Sequence, residues 1–168
     1  MVGTLRFAHP AALAFAGHDT AEAAVSRADQ SYDAVIVGCG PVGATLANLL
    51  ASRGLRVAAI DQAFDIYDKP RAISLDHEVM RIFQACGLAD AIAPRTAPHP
   101  GTHFLGVDGR IIKIFDPMPP PYPLGWPPNL TFVQPELEAT LRDAAARQRV
   151  DLCLGQRAVC PSSALHRH

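Results

Sequence analysis

The stretch Tyr32 to Asp61, YDAVIVGCGPVGATLANLLASRGLRVAAID, decides how the chain folds. Val35, Ile36 and Val37 form a short continuous apolar run, the pattern of a strand buried on both faces of a parallel sheet, which predicts a central strand. Gly38-Cys39-Gly40-Pro41-Val42-Gly43 follows, and then Ala44 to Arg53, with Leu46, Leu49 and Leu50 at helical spacing and Gly54 as a stop signal. Leu55 to Ile60 is a second apolar run, closed by Asp61. Strand, glycine loop, helix and strand make a βαβ unit, so the fold class is α/β.

The loop has the residues that a dinucleotide needs. A pyrophosphate must be met by backbone N–H groups without bulky side chains in the way. Gly38 permits a tight turn out of the strand, Gly40 permits close approach of the phosphates, and Gly43 lets the helix pack closely on the sheet. The positive end of the helix adds attraction. Asp61 lies 61 − 38 = 23 residues after Gly38, where a carboxylate at the tip of the second strand accepts hydrogen bonds from the hydroxyls of an adenosine ribose. An acid there disfavours a ribose 2′-phosphate by charge repulsion, so the Rossmann-like unit is expected to take FAD or NAD before NADP.

Outward from this unit, the composition bounds the rest. The 168 residues suffice for one domain of ordinary size, and a net charge of −1 argues against a broad basic surface for nucleic acid. No run of about 18 apolar residues exists to span a membrane. Cys39, Cys86, Cys153 and Cys160 lack CxxC spacing and read as thiols of a reducing cytoplasm. The seven histidines form no HExxH pattern, so no metal site is expected. Residues 1–31 read as a leader, expected to be disordered; their apolar patch after Arg6 faintly resembles a secretory signal, but His9 and Pro10 interrupt it.

After Asp61, the loop Asp65 to Ala72 contains Lys69-Pro70-Arg71, and a helix is predicted from about Leu75 to Gly87 with Leu75, Val79, Ile82 and Phe83 on one face. Thr102 to Phe115, THFLGVDGRIIKIF, reads as an antiparallel hairpin in which Asp108-Gly109 suits a type I′ turn. Asp116 to Asn129, with seven prolines, reads as an extended connector with Tyr122 and Trp126 packed against a neighbour. Leu130 to Val133 is strand-like, Pro135 to Arg147 is a helix with Leu137 and Leu141 inward, and Val150 to Leu154 is a further strand.

Three segments taken together, VIVGCGPVGATLANLLASRGLRV, YDKPRAISLDHEVMRIFQACGL and FVQPELEATLRDAA, resemble the single-component FAD-dependent aromatic-ring hydroxylases, most closely the hydroxyphenylpropionate hydroxylase group. The resemblance runs from about Tyr32 to Leu154. It implies that Gly38, Gly40, Pro41, Val42 and Gly43 hold the FAD pyrophosphate, that Asp61 holds the adenosine ribose, and that Arg71 and Gln134 contact the cofactor. It also implies NAD(P)H as reductant, a small phenolic acid as substrate, and no catalytic nucleophile in the protein, because the flavin carries the difficult chemistry. On residues alone, Arg71 reads equally as a solvated loop charge and Gln134 as a helix-capping residue.

The expected organisation is therefore a leader over 1–31, an FAD-binding βαβ region over 32–100, and a hairpin and proline-rich connector opening an incomplete second domain over 101–129. A return to the FAD-binding domain over 130–160 and a tail over 161–168 complete it. The Asp-Gly and Gly-Asp motifs that such hydroxylases carry later are missing. Asp108-Gly109 lies in a hairpin turn without the serine and arginine that should follow, so the chain reads as the front third of a hydroxylase, inactive alone. An NAD-dependent dehydrogenase domain and a non-catalytic nucleotide-binding remnant are the alternatives.

Overall fold

A computed structural model describes residues 31–158, so the expectations for the leader and for the tail from residue 161 fall outside the described residues. Along the chain the elements are β1 (Ala34–Val37), α1 (Pro41–Ala51), β2 (Val57–Asp61), β3 (Ser74–Asp76), α2 (His77–Ala85) and α3 (Ala89–Ile92). A 3-10 turn (Ala93–Arg95) leads to β4 (Thr96–Pro98), β5 (Thr102–Leu105), β6 (Ile111–Phe115), β7 (Asn129–Phe132), α4 (Gln134–Arg147) and β8 (Asp151–Leu154). Two compact units result: the first closes at Ile66 and resumes at Leu141, and the second is Tyr67–Thr140.

The first unit holds a parallel sheet in the order β1-β2-β8, with Ile36 opposite Ala59 and Ile60 opposite Cys153. The predicted βαβ fold is present, but the central strand is β2, not β1. Val57, Ala58, Ala59 and Ile60 are all buried, as a strand paired on both edges requires. In β1 only Ile36 is buried, whereas Val35 and Val37 project from the other face and are 42% and 71% exposed. Helix α1 starts at Pro41, a residue suited to the first turn because its missing N–H would have no helical partner. Its buried side chains are Ala44, Ala47 and Asn48 rather than the leucines, with Leu46 exposed. Small residues let the helix lie close to the strands.

In the second unit β7 pairs antiparallel with both β3 and β4, placing Leu75 opposite Leu130 and Ala97 opposite Thr131. Leu75 thus belongs to a strand, and the helix predicted to begin there starts at His77, where the Asp76 carboxylate caps it by accepting the Val79 N–H at 2.9 Å. The buried face is Met80 and Phe83, while Ile82 is exposed. Strands β5 and β6 form the expected hairpin. Its turn differs from type I′: the Gly106 carbonyl accepts the Gly109 N–H at 3.0 Å, and Gly109, not Asp108, has positive φ (+78°). This is the three-residue hairpin loop in which a type I turn ends in a glycine bulge. Trp126 donates from Nε1 to Gln84 Oε1 at 3.2 Å.

Candidate functional site

The three glycines of the loop meet different constraints. Gly38 sits at φ +98°, a conformation costly for any residue with a side chain. A Cβ at Gly43 would lie 1.9 Å from the Gly38 carbonyl oxygen and 3.3 Å from Ile36 Cγ2, so only glycine lets the helix approach the strand. A Cβ at Gly40 would meet nothing within 4 Å, which leaves open the space that a bound group would enter. Gly40 is also the N-cap of α1 and gives no side-chain hydrogen bond to the helix end. First-turn N–H groups left without such a cap form a ready anion site. Pro41 and Val42 make up the first turn, Val42 with 84% of its surface exposed.

Asp61, at the tip of β2, is tied to this loop. Its Oδ2 accepts the Cys39 N–H at 2.7 Å and its Oδ1 accepts the Ala63 N–H at 2.9 Å. An ionised carboxylate has about four acceptor positions, so these bonds orient it while leaving capacity for two hydroxyls. A cleft of about 410 Å³ opens at the carboxyl ends of the parallel strands, lined by Val37, Gly38, Ile60, Asp61, Gln62 and, beyond β8, Gln156, Arg157 and Ala158. Ligands of open parallel sheets bind at such carboxyl ends. Gln62, Gln156 and Arg157 were not singled out from the sequence. Their only signal there is position, immediately after an acid-tipped strand and after the last strand.

Polar residues on α4 and just beyond it brace the loop and its helix. Arg142 Nε donates to the Cys39 carbonyl at 3.0 Å. Asn48, wholly buried on α1, donates from Nδ2 to the carbonyls of Ala44 (2.8 Å) and Leu141 (2.9 Å), and its Oδ1 accepts from Gln148 Nε2 at 2.9 Å. The sequence reading missed all three residues, because nothing local marks partners about a hundred positions apart.

Arg71 and Gln134 belong to the second unit. Gln134 is buried and opens α4, and its Oε1 accepts the N–H groups of Arg71 (2.8 Å) and Ala72 (2.9 Å). The Arg71 side chain is exposed, with its guanidinium carbon 5.4 Å from the Tyr67 ring centroid, within cation–π range. The structure therefore joins Gln134 to the backbone of the arginine loop, a link that neither of its sequence readings contained.

Among the described residues, no group of three or more His, Cys, Asp or Glu could hold a metal ion, and no helix is long and apolar enough to cross a membrane. Cys39, Cys86 and Cys153 form no disulfide with one another.

The chain is similar to known proteins. The profile of the FAD binding domain matches residues 31–160. The 3-(3-hydroxy-phenyl)propionate/3-hydroxycinnamic acid hydroxylase of Mycobacterium sp. (strain JLS) is 41% identical over 124 residues, covering 74% of this chain and 22% of the relative. The enzyme of the same name from Mycolicibacterium smegmatis is 40% identical over 128 residues, again covering 22% of the relative. The chain thus spans about 22% of the length of these curated relatives. Among solved structures, the flavin-dependent monooxygenase PieE in complex with FAD and substrate matches with a TM-score of 0.62 at 23% identity, over 76% of this chain and 24% of that one. The p-nitrophenol 4-monooxygenase PnpA from Pseudomonas putida DLL-E4 matches with a TM-score of 0.61 at 21% identity, over 73% and 31%. The fold is shared with both. A glycine loop that tolerates no side chain at Gly43, an acid fastened to it and a family match over most of the chain lead to one conclusion: this chain belongs to the FAD-binding domain family, of the kind carried by flavin-dependent aromatic hydroxylases.

Proposed function

We propose that the chain supplies the FAD-binding portion of an NAD(P)H-dependent cytoplasmic monooxygenase that hydroxylates a small phenolic acid, the oxidation itself requiring more of the protein than these residues. What supports the reading most is the division of labour among the glycines: Gly43 packed against the Gly38 carbonyl, Gly40 facing open space, and Asp61 bonded to the peptide between them. The backbone of Gly38, Gly40, Pro41, Val42 and Gly43 receives the pyrophosphate. Asp61 accepts the ribose hydroxyls, and the cleft beside Gln62, Gln156 and Arg157 takes the adenine. Arg71 and Gln134 keep the cofactor-contacting role that the sequence resemblance gives them. FAD, when bound, supplies the redox chemistry that activates oxygen, while the protein binds and orients it.

An NAD-dependent dehydrogenase domain is the competing reading, because NAD presents the same ADP half to the same loop. Calorimetric titration of the chain with FAD and with NADH separates them. FAD is expected to bind, and Gly40→Leu, which fills the open space, to weaken it at least about tenfold, the effect of losing one or more charge-assisted contacts. NADH binding more tightly than FAD would favour the dehydrogenase, and binding of neither would overturn both readings.

A further inference from the structure

The second peptide of the glycine loop is held from below. Arg142 is only 7% exposed, and its Nε reaches the Cys39 carbonyl from a position 103 residues away. On the other side of the same residue, Asp61 Oδ2 takes the Cys39 N–H. The Cys39 side chain between them is fully buried. The peptide planes before and after Cys39 are therefore fixed separately, one by an anion at the tip of β2 and the other by a cation on α4.

The Cys39–Gly40 peptide is trans, since the cis bond among the described residues is Pro120-Pro121. In a planar trans peptide the C=O and N–H point in opposite directions. Drawing the Cys39 carbonyl inward onto a buried guanidinium consequently turns the Gly40 N–H outward. That N–H donates to nothing among the described residues, and the side-chain position of Gly40 faces open space. We propose that Arg142 is a positioning residue that aims the Gly40 N–H at the pyrophosphate of an adenine dinucleotide. This rests on the FAD-binding reading above and extends it to a residue outside the glycine motif. A guanidinium suits the task, because it stays charged throughout the physiological pH range and its hydrogen bonds to oxygen are charge-assisted.

The test uses the full chain, two probes that differ by the pyrophosphate, ADP and adenosine, and the variants Arg142→Met and Arg142→Lys, each checked by thermal melt. Arg142→Met is expected to weaken ADP about tenfold, the effect of one charge-assisted hydrogen bond, while adenosine affinity stays within about twofold. Arg142→Lys, which keeps the charge and a donor, is expected to fall between. Unchanged ADP affinity in Arg142→Met would overturn the proposal, and so would equal weakening of ADP and adenosine, the signature of a general structural role. If Arg142→Met does not melt cooperatively, Arg142→Gln replaces it and the same outcomes apply. A wild-type chain that binds neither ADP nor FAD would sink the FAD reading instead. The amide spectrum of the ligand-free chain then decides: the Gly40 N–H resonance moves on substitution if Arg142 orients this peptide, and an unmoved resonance overturns the proposal.

Discussion

Two loops of this chain use the same residue types to different ends. The loop from Gly38 to Gly43 and the hairpin loop from Gly106 to Arg110 each contain a glycine at positive φ, Gly38 at +98° and Gly109 at +78°. Each has an aspartate that accepts a backbone N–H, Asp61 from Cys39 and Asp108 from Arg110. The partners differ in origin. Asp108 reaches two residues along its own turn, whereas the glycine loop is fastened by Asp61 from 22 positions away and by Arg142 from 103. The residue under one loop, Cys39, is fully buried, and the residue at the tip of the other, Val107, is fully exposed. A turn that only reverses the chain needs local chemistry. A loop that presents its backbone to a ligand needs its peptides fixed by residues that the rest of the fold brings to it.

The largest expected effect comes from breaking the packing beneath the glycine loop. Gly43→Ala would place a methyl group 1.9 Å from the Gly38 oxygen, and no rotamer change relieves a clash between a Cβ and backbone. Overpacking of this kind costs about 3 kcal/mol. A fall of roughly 10 °C in melting temperature is expected, together with loss of FAD binding. A stable Gly43→Ala variant that still bound FAD would contradict the account of all three glycines.

Next in size is Asn48, whose side chain links α1 to Leu141 of α4 and to Gln148 just beyond that helix. Asn48→Ala leaves a buried carbonyl and a half-buried amide with fewer partners, at about 2 kcal/mol. Urea unfolding should show a lower midpoint with an unchanged slope, the mark of a stability change without a change in the unfolded ensemble. An unaltered midpoint would mean that the long-range bracing contributes nothing.

What the sequence made legible follows the same division. The βαβ order, the tight turn at Gly38, the close packing at Gly43 and the place of Asp61 at the tip of β2 could be read because they rest on short spacings and on residues whose chemistry is specific. Leu137 and Leu141 were read as inward from their periodicity, and both are buried. Arg142, Asn48 and Gln148 were invisible, since a polar residue on a helix usually faces water and only the assembled fold shows otherwise. Strands β3 and β4 went unseen because three residues carry too little pattern, and pairing with β7 alone makes them strands. The run Val35-Ile36-Val37 misled for a related reason: an apolar run shows that a strand can be buried, while the covering elements decide which of its faces is.

The smallest effect is expected at the hairpin, and it sharpens the contrast most directly. Gly109 needs its positive φ, but a Cβ there would meet nothing within 4 Å. Gly109→Ala should therefore cost only the left-handed backbone penalty of about 1 kcal/mol, with no steric addition. Because the turn is closed by its own neighbours, the Gly106–Gly109 and Gly106–Arg110 hydrogen bonds, that cost has no route to the glycine loop. Denaturant unfolding should register a small drop in stability, and FAD titration should return the wild-type affinity. A clear weakening of FAD in this variant would show that the hairpin turn takes part in organising the cofactor site, and the separation between locally closed and distantly braced loops would fail.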